Sequence, residues 1–231
     1  MGEAKICCAS LLFYYIIPLI VLIHSSIINL RAQQRDAGLW TSVNIEKKIT
    51  QKFSAVASGE LRFNDNISHL GTFFADPGIT YAILKNFKIA YHYRFSNQRR
   101  LDGSYSKRHR YYFDFAYRHR LWKLSLQFRY RFQSQYTDIL ISEDGKIPEY
   151  TNRYKFTIRY LPDRPVKPYL AVEFFENFDG YYLSKIRYFL GLEYSLNKRN
   201  SVEIFYLIQK EVQTSDPLTD FIAGCSYAFT F

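Results

Sequence analysis

The sequence predicts an all-β protein: a single antiparallel transmembrane β-barrel of about 12 strands, with about 10 as the alternative, preceded by a cleavable signal peptide. Three observations predict this fold. Apolar and polar residues alternate with a period of two over most of the chain, as they do in strands whose two faces meet different surroundings. Aromatic residues make up 19% of the 231 residues. The chain ends on Phe231, with Phe229 and Tyr227 on the same face of the last predicted strand.

Composition excludes several other classes of protein. Lys and Arg outnumber Asp and Glu by 31 to 21, which gives a formal charge of +10, yet 21 Tyr and 20 Phe are too many for a disordered basic chain. A mean hydropathy of −0.24 excludes a membrane protein with several apolar helices. Three Cys without a Cys-x-x-Cys pair indicate neither a disulfide scaffold nor a zinc site. We expect no metal and no cofactor.

Residues 1–32 are predicted to be the signal peptide. Lys5 supplies a positive start, residues 6–30 are almost free of charge, and Ala32 before two Gln marks the cleavage position. An uncleaved anchor helix is the alternative, because the apolar run is long. Residues 33–231 then form one barrel domain, in which Cys225 is the one remaining Cys.

The predicted strands follow in order. Alternation is clear in six segments: 87–95, 111–117, 124–133, 154–160, 186–194 and 202–208. Weaker patterns predict strands at 39–48, 53–63, 71–84 and 169–178, and the last strand spans 221–231. These make about eleven strands, whereas a bacterial single-chain barrel has an even number. We therefore expect twelve, with one strand missed, for example within 71–84.

The connections alternate in length, as in outer-membrane barrels. Short ones are predicted at 48–52, 85–86, 120–121, 162–168 and 197–200. Longer polar ones are predicted at 64–70, 97–107, 135–149 and 212–219. The aromatic strand faces are too bulky for the interior of a small soluble barrel, so we expect them to face lipid, with Tyr93, Tyr111, Tyr117 and Tyr160 near the membrane–water interface. Lipid offers no partner for unpaired backbone groups, which requires closure.

The C-terminal pattern Tyr227, Phe229 and Phe231 resembles the targeting signal that the barrel-assembly machinery reads in Gram-negative outer-membrane proteins. The chain also resembles a family of outer-membrane barrels grouped as a domain of unknown function, DUF2490. The resemblance covers about 37–231 and rests on Gly38-Leu39-Trp40 and on the stretch from Arg99-Arg100 through Asp102-Gly103 to Arg108-His109-Arg110. It implies the fold and the outer membrane, and it implies no catalytic residues.

The face opposite the aromatic residues should line the lumen and is mostly basic. Its expected basic residues are Arg94, Arg110, Arg118, Arg129, Arg131, Arg153, Lys155, Arg159 and Arg187. Their expected acidic partners are Glu60, Asp114, Glu173, Glu193 and Glu203. Rings of Arg and Lys favour anions in pores, so we predict a narrow pore for small anionic solutes such as acidic sugars. A closed structural barrel, filled by its own ion pairs, is the alternative.

An outer-membrane lipid-modifying enzyme is a further alternative, and the sequence gives it little support. No His stands in a Gly-x-Ser-x-Gly frame, and His92 and His109 are better explained as wall and interface residues. We predict no enzyme activity. The basic stretch 99–110 could indicate nucleic-acid binding. In an outer-membrane protein it is better explained by contact with lipopolysaccharide phosphates, so lipid and lipopolysaccharide are the expected partners and nucleic acid is not.

Overall fold

A computed structural model describes residues 35–137 and 148–231. The predicted signal peptide, 1–32, and the central part of the predicted 135–149 loop lie outside the described residues. The described chain forms eleven strands: β1 Arg35–Lys48, β2 Phe53–Asn64, β3 His69–Leu84, β4 Phe87–Arg99, β5 Tyr105–Leu121, β6 Leu124–Thr137, β7 Glu149–Tyr160, β8 Val166–Asn177, β9 Tyr182–Ser195, β10 Asn200–Glu211 and β11 Thr219–Thr230. They close into one barrel, which confirms the predicted fold class.

The expectation of twelve strands, or ten, is wrong for the described chain, because the eleven strands close by themselves. Each strand pairs antiparallel with its neighbour in sequence from β1 to β11. The ring is then completed by a parallel pairing between β1 and β11, from Arg35 opposite Thr219 to Glu46 opposite Thr230. An odd number of alternating strands can close only if the first and the last run in the same direction. The segment 71–84 holds one strand, β3, and no additional one.

The two ends of the barrel differ, as the connection lengths predicted. At one end, called the turn end, connections of two to five residues join the strands, and Phe231 lies there. At the other, called the loop end, connections of four to eleven residues join the strands, and Arg35 lies there. Several strands are longer than predicted. For example, β4 extends to Arg99 and β5 begins at Tyr105, so the predicted 97–107 loop is shortened to 100–104.

The alternation separates the two faces as predicted. On β5, the outward Tyr111, Phe113, Phe115 and Tyr117 are exposed, whereas Tyr112, between them, is buried inside. Cys225 is likewise exposed on the outward face of β11. No helix of the described residues is long and apolar enough to cross a membrane.

Two glycines allow aromatic rings to lie flat against the inner wall. The ring of Tyr169 on β8 covers Gly191 on β9, and the ring of Phe205 on β10 covers Gly224 on β11. A Cβ atom at either glycine would overlap the ring. These positions therefore require glycine because of close approach, not because of an unusual backbone angle.

Candidate functional site

A cavity of about 710 Å³ occupies the half of the lumen toward the loop end. We call it the cup. Its charged lining comprises ten Arg and Lys side chains and five carboxylates: Arg62, Arg94, Arg108, Arg110, Arg129, Arg131, Arg153, Lys155, Lys185 and Arg187, with Glu60, Asp76, Asp114, Glu149 and Glu173. Positive charge therefore exceeds negative charge twofold among the groups that a solute in the cup would meet.

Glu173 on β8 is the most heavily coordinated carboxylate of the cup. It is 1% exposed, and Arg129 and Arg153 donate to its Oε1 at 2.7 and 2.9 Å. Arg187 Nη1 lies 3.7 Å from its Oε2. The three arginines come from β6, β7 and β9, so one carboxylate ties four strands together at mid-height.

Asp114 on β5 forms a second centre beside the first. Arg131 donates Nε and Nη2 to its two oxygens at 2.6 and 2.7 Å, a fork-to-fork pair. Arg129 Nη1 lies 3.9 Å from the same carboxylate. Because Arg129 also contacts Glu173, the two centres form one continuous network.

Asp76 on β3 is a third centre, and the sequence pattern did not predict it. It is 2% exposed and accepts from Arg94 Nη2 and from the Tyr112 hydroxyl, both at 2.5 Å. His92 Nδ1 lies 3.1 Å from its other oxygen, and the His92 ring stacks on Tyr112 with centroids 4.7 Å apart. Asp76 stands beside Pro77 in a strand with a weak pattern, but its parity with Phe74 on β3 indicates an inward direction.

Several aromatic residues also point inward, which corrects the assignment of the aromatic residues to the lipid side alone. Arg62 lies 3.8 Å above the centroid of Trp40, Arg94 3.7 Å from that of Phe74, and Lys155 3.9 Å from that of Phe189. These contacts are within the range of cation–π attraction. Arg62 was not predicted either; it pairs with Glu60 at 2.5 Å.

The remaining predicted lumen residues lie toward the turn end. Arg159 and Lys167 bind the two oxygens of Glu193 at 2.7 and 3.1 Å. Glu203 accepts from the Tyr169 hydroxyl at 2.6 Å. Arg118 is exposed and donates to Gln127 at 3.1 Å. These groups border smaller cavities, one of which shares Arg129 and Lys155 with the cup.

The basic residues of the cup are concentrated on one side. All but Arg62 lie on β4 to β9, and we call this side the basic wall. The opposite side contributes one cation, Arg62, and two carboxylates, Glu60 and Asp76, beside neutral residues such as Asn44 and Ser58. A solute in the cup would therefore have most of the guanidinium groups on one flank.

The rim and the outer surface hold the other predicted residues. In loop 100–104, the Ser104 hydroxyl and backbone N–H donate to Asp102 at 2.7 and 2.9 Å, which holds the pKa of that carboxyl below its usual value. Tyr227 and Phe229 lie on the outward face of β11 near the turn end, and the Phe231 N–H donates to the Glu46 carbonyl at 2.9 Å. Among the described residues, no cluster of His, Cys, Asp and Glu could hold a metal ion.

Comparisons with known proteins found a matching family model and solved structures of similar fold. The family model described as "Protein of unknown function (DUF2490)" matches residues 37–219. The β domain of the Bordetella autotransporter BrkA aligns with a TM-score of 0.50 and 10% identity, over 80% of this chain and 86% of that one. An anion-selective porin from Comamonas acidovorans aligns with a TM-score of 0.40 and 12% identity, over 78% of this chain. The chain spans about half the length of that porin, 53%. No curated protein matches the sequence.

Proposed function

We propose, from the premise that this chain belongs to the DUF2490 family, that it is an outer-membrane β-barrel that passes small anionic solutes through a narrow basic lumen. The observation that carries the proposal is the charge of the cup, ten cations against five carboxylates. Pores lined by Arg and Lys favour anions. A guanidinium matches the two oxygens of a carboxylate or phosphate, so acidic sugars remain the solute class that we favour.

The network of Glu173, Asp114 and Asp76 sets the narrow point of the proposed path. Its arginines reach across several strands at mid-height, between the cup and a smaller cavity toward the turn end that shares Arg129 and Lys155 with it. A solute would therefore pass only by displacing or exchanging these guanidinium contacts. This arrangement implies low conductance and strong discrimination by charge.

The proposed setting is the outer membrane, with the turn end in the periplasm. The predicted signal peptide, the C-terminal Phe231 pattern and the outward aromatic belt support it. Lys107 and His109 lie outward near the loop end, where lipopolysaccharide phosphates would be the partners. The barrel-assembly machinery is the proposed partner during insertion.

Conductance in planar bilayers tests the proposal. We expect small openings with a reversal potential that favours anions under a KCl gradient. Replacing Arg129 by Gln, which removes a cation of the narrow point, should reduce the anion preference. Preference for cations, or the absence of openings at any voltage, would contradict the pore.

A closed structural barrel is the second candidate, and the burial of the ion pairs favours it. Glu173, Arg131 and Arg153 are all nearly inaccessible to water. Small barrels can be filled by their own side chains. Liposomes that contain the protein and neither conduct nor swell in an acidic sugar would support this candidate over the pore.

An enzyme is not supported by the described residues. A Ser–His–Asp relay needs the Ser and the Asp on different nitrogens of the His ring. Ser68 and Asp65 both lie 2.9 Å from the same nitrogen, Nδ1, of His69, so they form no relay. His92 contacts Asp76, and the described residues give it no serine hydroxyl as a hydrogen-bond partner.

A further inference from the structure

Arg110 on β5 is a basic residue of the cup without a compensating charge. Its Nε donates to Gln135 Oε1 at 3.0 Å and its Nη2 donates to the same oxygen. Among the described residues, no carboxylate lies within salt-bridge distance of Arg110. Gln135 is neutral and takes two of the five N–H groups of the guanidinium, so the positive charge stays unbalanced.

The neighbouring strands increase the imbalance. Arg94 on β4 stands directly opposite Arg110, and both side chains point into the cup. Like charges directly opposite each other destabilise a sheet. Arg94 is balanced by Asp76, to which it donates Nε and Nη2 at 2.8 and 2.5 Å. The opposed pair therefore has one carboxylate for two guanidinium groups.

Arg108 is a second cation on the same face, two residues along β5, and among the described residues no carboxylate lies within salt-bridge distance of it. Its Nε is buried and has no hydrogen-bond partner among the described residues. Arg108 and Arg110 both line the cup, on the side of the loop end. A buried charged donor without a partner is costly, and an oxyanion in the cup would supply an acceptor that the described residues do not.

Deeper in the lumen the arginines are compensated. Arg129 and Arg153 contact Glu173, and Arg131 contacts Asp114. Lys155 has no carboxylate partner among the described residues, but its ammonium lies over the Phe189 ring. Arg108 and Arg110, the two guanidinium groups of the cup without a salt bridge to a described carboxylate, are therefore those that a solute meets first from the loop end.

We propose that Arg110 and Arg108 form a binding subsite for the oxyanion group, carboxylate or phosphate, of a solute at the loop end of the lumen. This proposal rests on the proposed function: the subsite is where an anionic solute would first bind on its way through the lumen. Gln135 orients Arg110 through two N–H groups, and the guanidinium presents its other donors to the oxyanion. The Asp76 contact keeps Arg94 from competing for the same solute group.

Calorimetric titration of the full-length barrel in detergent, at low salt, tests the subsite. The probes are glucuronate, inorganic phosphate and neutral glucose. We expect binding of glucuronate, phosphate or both, and no binding of glucose. Arg110→Gln should weaken that binding at least about tenfold, as for the loss of a charged hydrogen bond.

Lys210→Gln is the matched control, because its replacement removes a positive charge of the loop end without touching the cup. Lys210 on β10 is exposed and points outward. Its replacement should leave anion binding unchanged. Arg110→Gln also removes the charge opposite Arg94, so the variant should unfold in urea at a concentration no lower than the wild type does. That result separates a binding role from a structural one.

The outcomes distinguish the subsite from the pore. If neither anion binds, or if Arg110→Gln binds as tightly as the wild type, the subsite is wrong. Anion-selective conductance that persists with unchanged affinity in Arg110→Gln would keep the pore and remove the subsite. Binding that depends on Arg110 in a barrel without openings would keep the subsite and remove the pore.

Discussion

At the scale of single residues, Glu173 has the largest consequence for stability. Three guanidinium groups approach it within 3.7 Å, and the side chain is 1% exposed. A buried ion pair often contributes no more to the free energy of unfolding than apolar side chains of the same size would. Removing one partner, however, leaves the others buried and uncompensated, which is strongly destabilising. The cost of losing Glu173 is therefore shared by Arg129, Arg153 and Arg187.

We expect Glu173→Gln to lower the free energy of unfolding by about 3–5 kcal/mol. Urea unfolding of the protein in lipid vesicles, followed by tryptophan fluorescence, measures the change. Glu149→Gln is the control, because Glu149 is an exposed carboxylate of the same cup and its loss should change stability by less than about 0.5 kcal/mol. Equal effects of the two variants would show that the Glu173 network does not hold the strands together.

Gly191 provides a second residue-scale prediction. A methyl group there would overlap the Tyr169 ring and displace its hydroxyl from Glu203. Gly191→Ala should destabilise the barrel by about 1–3 kcal/mol. Gly59→Ala is the matched control, because its nearest atom would be 3.9 Å away, and it should be neutral in the same urea titration. A neutral Gly191→Ala would indicate that Tyr169 does not cover the glycine.

Residue direction is largely predictable from the sequence because side chains alternate along a strand. The alternation alone places Arg129, Arg153 and Glu173 on the inward faces of their strands. It fails where the pattern is mixed. Asp76 and Trp40 were not assigned to the lumen, because β3 contains Pro77 and because aromatic residues were associated with lipid.

At the scale of elements, the parallel pairing of β1 and β11 is the least expected feature. Local alternation is enough to predict that a segment forms a strand. Which two strands pair to close the barrel depends on the registers of all the strand pairs around the ring. The count of eleven segments was correct, and the general preference for even numbers led to the wrong total. Local sequence contains no signal that overrides that preference.

A disulfide can test the closing register. Thr41 stands directly opposite Cys225, and neighbouring strands lie about 4.8 Å apart, within reach of a disulfide. With Cys7 and Cys8 replaced by Ala, Thr41→Cys should form a bond to Cys225 on oxidation, which loss of thiol labelling detects. Val43→Cys is the control, because a shift of two residues places it about 8 Å away. Preferential bonding of Val43→Cys would contradict the parallel register.

At the scale of the whole molecule, charge is distributed unevenly around the lumen. The basic wall on β4 to β9 faces a side that contributes one cation, Arg62, and two carboxylates, Glu60 and Asp76, so the centre of positive charge is displaced from the barrel axis. Sequence alternation predicted an excess of cations inside. It could not predict that they would lie together, nor that Glu173 would contact arginines from three strands, because those contacts depend on the closed ring.

The proposed orientation in the membrane gives a prediction at the same scale. An epitope inserted in the 100–104 loop should be reached by antibody on intact cells, whereas one in the 196–199 turn should be reached only after the outer membrane is opened. The physical reason is that long loops face outward and short turns face the periplasm in barrels of this class. The reverse pattern of labelling would require the opposite orientation.

The closure of β1 on β11 has a topological consequence. A chain that runs from one end of a barrel to the other an odd number of times begins at one end and finishes at the opposite end. Arg35 and Phe231 accordingly lie at opposite ends of the barrel. In a membrane barrel with an even number of strands, both ends would lie in the same compartment. In the membrane setting that we propose, the two ends of this barrel lie in different compartments, so one of them has to cross the bilayer before β1 can pair with β11.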